Sequence, residues 1–444
     1  MFYELTLEEL VPFIGLMIVV MVILIFNFTR SYVYCWSPLV VVALVFGYYC
    51  LLGPYEAIRS GETRDRLMDM RRFYESSFWG AFVTVVSILV GYLFNNAPGR
   101  RSQYTFNNEL LGFYGRRLYL IGFVLFTIST GGNVGRLINP LDSDGVQQIG
   151  GSFANYLFLS LNFLIPAVTL LFLYFLRTRK GLAWFIIACL IAVGIFISLG
   201  FRYRIVILFG AMAVAYFYNE GKKPNLVVMA VGIAVFIGLM GVINITRQYG
   251  RGLDLTKLED RSTANYYESG LREAMIFQTS GAVIDVVPYK HPHAGWTPIW
   301  STITFPIPSA LYKEKNSAVY LLETLDAIYG EKLSQGAAMM AYGEYYLAFG
   351  WAGIVIGGFL TGWYCKKLWK WYLANSDNPF VISAYAVTVS YLYFVVSRGY
   401  LPLIVNLFFF TAFPAYFVWW LVRRRHSRST KAFEVQQINT LSQK

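Results

Sequence analysis

Long apolar runs, almost free of charge, constrain this chain more than any other feature. They fall near 9–29, 38–54, 77–95, 153–176, 181–199, 225–243, 343–365, 380–397 and 401–422. At 1.5 Å of rise per residue, about 20 apolar residues cross a hydrocarbon core roughly 30 Å thick. Two shorter runs, 117–131 and 203–218, fit the same role and bring the expected number of spans to about eleven. Charged residues make up 14% of the 444, against about 25% in soluble domains. A single water-soluble domain is excluded, and so is a disordered chain. The expected fold is an all-α polytopic membrane protein.

Orientation follows from where Lys and Arg accumulate, because they favour cytoplasmic loops. Arg100, Arg101, Arg116 and Arg117 lie in one loop, Arg177, Arg179 and Lys180 in the next of the same parity, then Lys222 and Lys223. Lys366, Lys367 and Lys370 follow, and Arg423, Arg424 and Arg425 open the tail. With eleven alternating spans these all face the cytoplasm, so the amino terminus lies outside and the carboxyl terminus inside. Residues 1–243 then carry spans one to eight, 244–340 a large outer loop, 341–422 spans nine to eleven, and 423–444 a basic cytoplasmic tail. In the outer loop, 257–277 and 317–337 read as helical around a Pro- and Trp-rich centre. The first apolar run has acidic flanks and no small-residue cleavage site, so it reads as a retained span.

The net charge of +12 does not indicate a nucleic-acid partner, because the basic clusters sit at span ends and no recognition helix or zinc-finger spacing occurs. Cys35, Cys50, Cys189 and Cys365 lie in or beside apolar runs without ligand spacing. No disulfide framework, metal or cofactor is expected from them.

The candidate site residues gather at the outer boundary. Arg136, Arg202, Arg204, Arg247, Arg251 and Arg398 fall there, with Arg272 further into the loop. Snorkelling to lipid headgroups and pairing with carboxylates are the ordinary explanations. Arg202 and Arg204 are the sharper signal, since they share the short connection Gly200–Phe201–Arg202–Tyr203–Arg204. Guanidinium forks suit phosphate oxygens. Glu344, where the loop re-enters the membrane, is costly unless paired or wetted; it either anchors an arginine or serves as a general base. His291 and His293 stand two apart in a proline-bearing stretch and are alternative bases, or simply packed beside Trp296; no third ligand makes them a metal pair. Tyr345, with Tyr346, either belongs to an interfacial aromatic belt or stacks on a sugar.

The segment Tyr342–Gly343–Glu344–Tyr345–Tyr346–Leu347–Ala348–Phe349–Gly350–Trp351–Ala352–Gly353, the proline motif at 304–315, the Arg202/Arg204 turn and Ser397–Arg398–Gly399 together resemble the Wzy-type oligosaccharide repeat-unit polymerases of bacteria, relatives of the O-antigen ligases. Similar proteins often carry an arginine after the second proline, where this chain has Ser309, so a contact expected there must come from elsewhere. The resemblance implies a membrane glycosyltransferase of the C type in the bacterial inner membrane, using neither nucleotide sugar nor cofactor. Donor and acceptor would be polyprenyl-diphosphate-linked glycans at the periplasmic face, in contact with membrane lipids and with a chain-length regulator as a further partner. It implies diphosphate binding by Arg202, Arg204 and Arg398, with Arg272 next. Glu344 ranks ahead of His293 as base, and the outer loop reads as a lid over a sugar groove. The alternatives are an O-antigen ligase-like transferase, a lipid-linked glycan transporter or flippase, and a non-enzymatic receptor or scaffold. Charges at span ends rather than mid-span weigh against transport.

The orientation has a direct test. An impermeant thiol reagent added to whole cells is expected to label a cysteine placed at Tyr289 and to spare one placed at Lys223.

Overall fold

The computed structural model describes residues 5–61, 63–65, 68–95, 107–131, 156–200, 202–248, 252–253, 263–271, 275–307, 311–312, 318–330 and 337–425. Arg136, Arg251, Arg272, Ser309 and the tail from residue 426 lie outside the described residues, and of the Arg247 side chain nothing is described.

The fold is all-α apart from two minimal antiparallel hairpins. In one, β1 (Arg64–Asp65) pairs with β2 (Met68–Asp69); in the other, β3 (Arg247–Gln248) pairs with β4 (Gly252–Leu253). The helices are α1 (Leu7–Thr29), α2 (Pro38–Ser60), α3 (Tyr74–Phe94), α4 (Glu109–Ser129) and α5 (Tyr156–Thr178). They continue with α6 (Leu182–Ser198), α7 (Arg202–Glu220) and α8 (Leu226–Thr246). The outer loop contributes α9 (Thr263–Leu271), α10 (Met275–Val286), α11 (Thr297–Thr304) and α12 (Val319–Tyr329). Last come α13 (Ala341–Ala374), α14 (Pro379–Ser397) and α15 (Leu401–Arg425).

The described parts of the expected apolar runs are essentially helical, apart from a break at Phe349 and Gly350. Among the described residues eight helices are long and apolar enough to cross a membrane: α1, α2, α3 with its leading turn, α4, α5, α13, α14 and α15. Shorter apolar helices occupy Leu182–Ser198 and Val227–Ile243. The chain is a multi-helix protein with the make-up of a polytopic membrane fold. Connections given the same face by alternation meet one another. On the side read as cytoplasmic, the Tyr218 hydroxyl donates to Val33 O (2.8 Å), the Tyr385 hydroxyl to Trp36 O (2.9 Å) and Arg177 Nε to Asn219 Oδ1 (2.8 Å). On the other, Gly399 N donates to Met339 O at 2.8 Å.

A close helix crossing joins α3 to α13. A Cβ at Gly91 would lie 2.0 Å from Phe359 O, and one at Gly362 only 1.9 Å from Ile88 O. Small residues let two backbones touch where lipid tails supply no hydrophobic drive for association. At the opposite end of α3, Glu9 caps α1 in a reciprocal box with Thr6, and both its carboxylate oxygens accept from Arg71. One carboxylate therefore completes a helix start and ties it to the chain entering α3.

Within the expected helical stretch 257–277 of the outer loop, α9 is described over Thr263–Leu271 and α10 from Met275, and residues 257–262 and 272–274 lie outside the described residues. In this loop α10 is buried around almost its whole circumference and packs on α3, where a Cβ at Gly281 would strike Ser77 Oγ at 2.0 Å. Two expectations need correction, the Arg202/Arg204 turn and the span 343–365. Arg202 and Arg204 do not lie in a connection between helices; they occupy the first turn of α7.

Most consequential, the expected span 343–365 is not one helix. Phe349 (φ −140°, ψ 24°) and Gly350 (φ 61°, ψ −149°) leave the helical region. The Tyr345 hydroxyl lies 3.3 Å from Thr361 Oγ1, sixteen residues on, whereas a continuous helix would separate them by about 24 Å. Segment 341–348 is thus a short re-entrant helix folded back on 351–374. Its last carbonyls would be left open by the break, and the outer loop takes them: Ala294 N donates to Leu347 O (2.8 Å) and Gly295 N to Ala348 O (3.0 Å). The Gly350 conformation is open almost only to glycine, and another residue there costs about 1–3 kcal/mol. Gly350→Ala is therefore expected to lower stability by about that amount, read as an earlier thermal midpoint of the purified protein in detergent.

Candidate functional site

The re-entrant helix delivers Glu344 into the protein interior, where it is 2% exposed. Oε1 accepts from the Tyr320 hydroxyl at 2.5 Å. The Leu401 amide, the first of α15, reaches Oε1 at 2.9 Å and Oε2 at 2.8 Å. Pro402 follows at the second helical position, where its missing N–H costs nothing. A carboxylate at a helix N-terminus is favoured by the exposed N–H groups and the helix dipole. Among the described residues Glu344 is thus met by a tyrosine and a backbone amide, not by an arginine. Burial, and then the neighbouring Glu344 carboxylate, push the Tyr320 phenol well up, so it stays protonated and donates.

Beside Glu344 opens a groove of about 570 Å³ between segment 351–374, α14 and α15. Its wall on the first of these includes Gly353, Ile356, Leu360 and Tyr364, one face of a helix over about 16 Å of its length. That is roughly half the thickness of a hydrocarbon core. The lining is almost wholly apolar, and two of its hydroxyls are engaged by backbone carbonyls: Tyr391 donates to Ile404 O (2.5 Å) and Thr388 to Ala384 O (2.7 Å). Glu344 is the one carboxylate in the lining. A slot of this kind accepts a hydrocarbon chain along its length and places whatever polar group the chain carries at the Glu344 end.

The separate sequence pieces converge at that end. Arg398 caps α14, its N–H donating to Phe394 O at 3.1 Å. The Tyr400 ring lies 6.3 Å from Phe305 of the proline motif and 6.5 Å from Tyr320, and the Tyr156 hydroxyl donates to Phe305 O at 2.8 Å. Arg398 is half-buried, and its Nη1 is buried with no hydrogen-bond partner among the described residues. A fixed fork of five donors, with the Nη1 group unspent inside the protein, is ready to donate to anionic oxygen.

Other candidates are placed differently. Arg204 is 1% exposed, its Nε donating to Asn162 Oδ1 at 3.0 Å and its guanidinium carbon 5.2 Å from the centre of the Tyr203 ring. Phe158 and Phe196 stand 5.8 and 6.0 Å away. Arg202, two residues earlier, is half-buried and points to another side of the helix, since positions i and i+2 do not face each other. The pair is no joint clamp. Tyr203 nevertheless stacks on Phe394 at 4.8 Å, which brings the start of α7 beside the end of α14. Tyr345 lines the groove, its ring pressed on Gly357 by the reversal. His293 is exposed, 5.8 Å from the Tyr346 ring, and His291 Nε2 lies 3.8 Å from Glu323. Among the described residues no cluster of His, Cys, Asp and Glu is fit to hold a metal. Tyr320 and the Leu401 amide were not foreseen. Neither carries a local signal, because pairing across 24 and 57 residues is decided by the fold.

No known protein family, curated protein or solved structure matches this chain.

Removing the Glu344 carboxylate leaves a buried hydroxyl and a buried amide without an acceptor, each costing about 1–3 kcal/mol. Glu344→Ala is expected to destabilise the folded protein clearly more than Tyr320→Phe, which deletes a donor and leaves the Leu401 contacts. Denaturation midpoints of the two variants and their double mutant check the order.

Proposed function

We propose that this protein transfers glycan between lipid-diphosphate carriers, polymerising oligosaccharide repeat units at the membrane face that bears Arg398 and Glu344. The observation that carries the reading is the apolar groove between helices 351–374, α14 and α15, headed by one buried carboxylate. A polyprenyl chain suits its length and apolar lining. The motif resemblance described above supplies the reaction class, and the same motif pieces meet at the head of the groove.

In this reading the acceptor sugar hydroxyl attacks the anomeric carbon of the donor's reducing-end sugar. The new C–O glycosidic bond forms as the old C–O bond to diphosphate breaks. Polyprenyl diphosphate leaves with the bonding electrons, and the hydroxyl proton passes to a base. Arg398 answers the charge on the departing diphosphate with its unspent buried donor, a contribution that grows as the bond breaks. Glu344 Oε2, holding only the Leu401 amide, keeps acceptor capacity for the attacking hydroxyl. Arg204 acts by packing the start of α7 against Phe158 and Phe196 rather than by touching the ligand.

Purified protein in liposomes with a synthetic polyprenyl-diphosphate-linked repeat unit is expected to build a ladder of longer glycans. Arg398→Gln should slow it about a hundredfold, the loss seen when one donor to developing negative charge is removed, with the fold intact. Glu344→Gln should also cost on the order of a hundredfold if the carboxylate takes the proton. A ladder insensitive to both changes moves the site. Folded protein that makes no ladder, but transfers glycan to a second kind of acceptor, belongs with the ligase class.

A further inference from the structure

Between His293 and Lys313 the chain carries no Asp, Glu, Lys, Arg or His. The stretch is interrupted by Pro298, Pro306 and Pro308, which rules out a continuous spanning helix. Its helix among the described residues, α11, has inverted polarity. It buries Pro298, Ser301 and Thr304 against the protein, while Trp300 is 60% and Ile303 62% exposed, with Trp296 at 71% just before. A helix facing water does the reverse, hiding its large apolar side chains and showing its hydroxyls.

What lies beyond that face follows from its neighbours. Pro298 and Ile299 complete the wall of the groove that Ile356, Leu360 and Phe409 line, and those three are themselves half open on the flanks of membrane-length helices. Trp296 packs edge-on against Phe349 at 5.2 Å, immediately before segment 351–374 begins. The exposed face of α11 is therefore continuous with the outward apolar surface of α13 and α15. Tryptophan, with an apolar body and one N–H, concentrates where hydrocarbon meets headgroups.

We propose that α11 lies in the membrane–water interface at the Arg398 end, with Trp300 and Ile303 in lipid, so that the groove beneath Pro298 and Ile299 opens sideways into the bilayer. A lipid-borne ligand then reaches Glu344 by lateral diffusion, and its chain never crosses water. The inference rests on the membrane reading of the long helices and not on glycan transfer.

The test uses the full-length protein in lipid nanodiscs, spin-labelled at Trp300→Cys or Ile303→Cys. Ile356→Cys serves as the reference for lipid and Tyr289→Cys, at 88% exposure, as the reference for water. Cys189, the one native cysteine that is not buried, is replaced by Ser throughout. Collisional relaxation by oxygen, which partitions into lipid, is compared with that by a water-soluble nickel chelate. The expected result at both α11 positions is a several-fold excess of oxygen over nickel relaxation, as at residue 356. Nickel-dominated relaxation, as at residue 289, overturns the proposal by placing α11 in water. Protection from both reagents overturns it too, by placing a protein or a second copy of this chain on that face. A nickel-dominated signal at residue 356 itself would instead bring down the membrane reading beneath the proposal.

Discussion

The Glu344 carboxylate at the first amide of α15 is the contact on which the site depends. It joins three pieces of chain that have no covalent reason to meet: the re-entrant helix 341–348, α12 through the Tyr320 hydroxyl, and the start of α15 through Leu401. A carboxylate this deeply buried is tolerable only when its lone pairs are occupied by well-placed donors. A backbone amide at a helix start and an undissociated phenol meet that demand without bringing in a second charge. Arg398, just before this helix start, therefore keeps a guanidinium nitrogen unspent.

The reversal at Phe349 and Gly350 makes that contact possible. Had α13 run straight, Glu344 would sit more than two helical turns beyond Gly353, and no groove would end on a carboxylate. The turn is stable because its costs are met locally. Glycine accepts the φ of +61°, the carbonyls of Leu347 and Ala348 find amides at Ala294 and Gly295, and Tyr345 fills the angle against Gly357. The outer loop is in this sense part of the membrane-facing architecture. It caps the re-entrant helix, buries α10 against α3 and supplies α11 at the mouth of the groove.

Rigid close packing elsewhere holds these parts in register. The Gly91–Phe359 and Gly362–Ile88 approaches fix α3 against α13. On the opposite face of the helices, Tyr218, Tyr372 and Tyr385 stack at 4.2 to 5.7 Å between α7, α13 and α14. With both ends of α14 held, Arg398 at its C-cap keeps a defined place beside Tyr400 and the proline motif.

Hydrophobic runs and their lengths determined by themselves that the chain is helical and built to cross a membrane, because backbone groups in hydrocarbon have no partner outside a helix. Glu344 stood out in the sequence because a carboxylate where the chain re-enters an apolar run is costly unless it is paired or wetted. Only the tertiary structure decided what the charged groups meet. The sequence put Arg202 and Arg204 together in a connection between helices, yet both lie in the first turn of α7, about 200° apart around its axis, with Arg204 among Phe158, Phe196 and Tyr203. It gave Glu344 an arginine or a substrate as its partner, yet Tyr320 and a backbone amide hold it. Hydropathy also could not register the break in α13, because a re-entrant helix and a straight one can be built from the same apolar residues. The difference lies in one glycine's torsion angles and in which distant amides reach the freed carbonyls, and both are set by the packed fold as a whole.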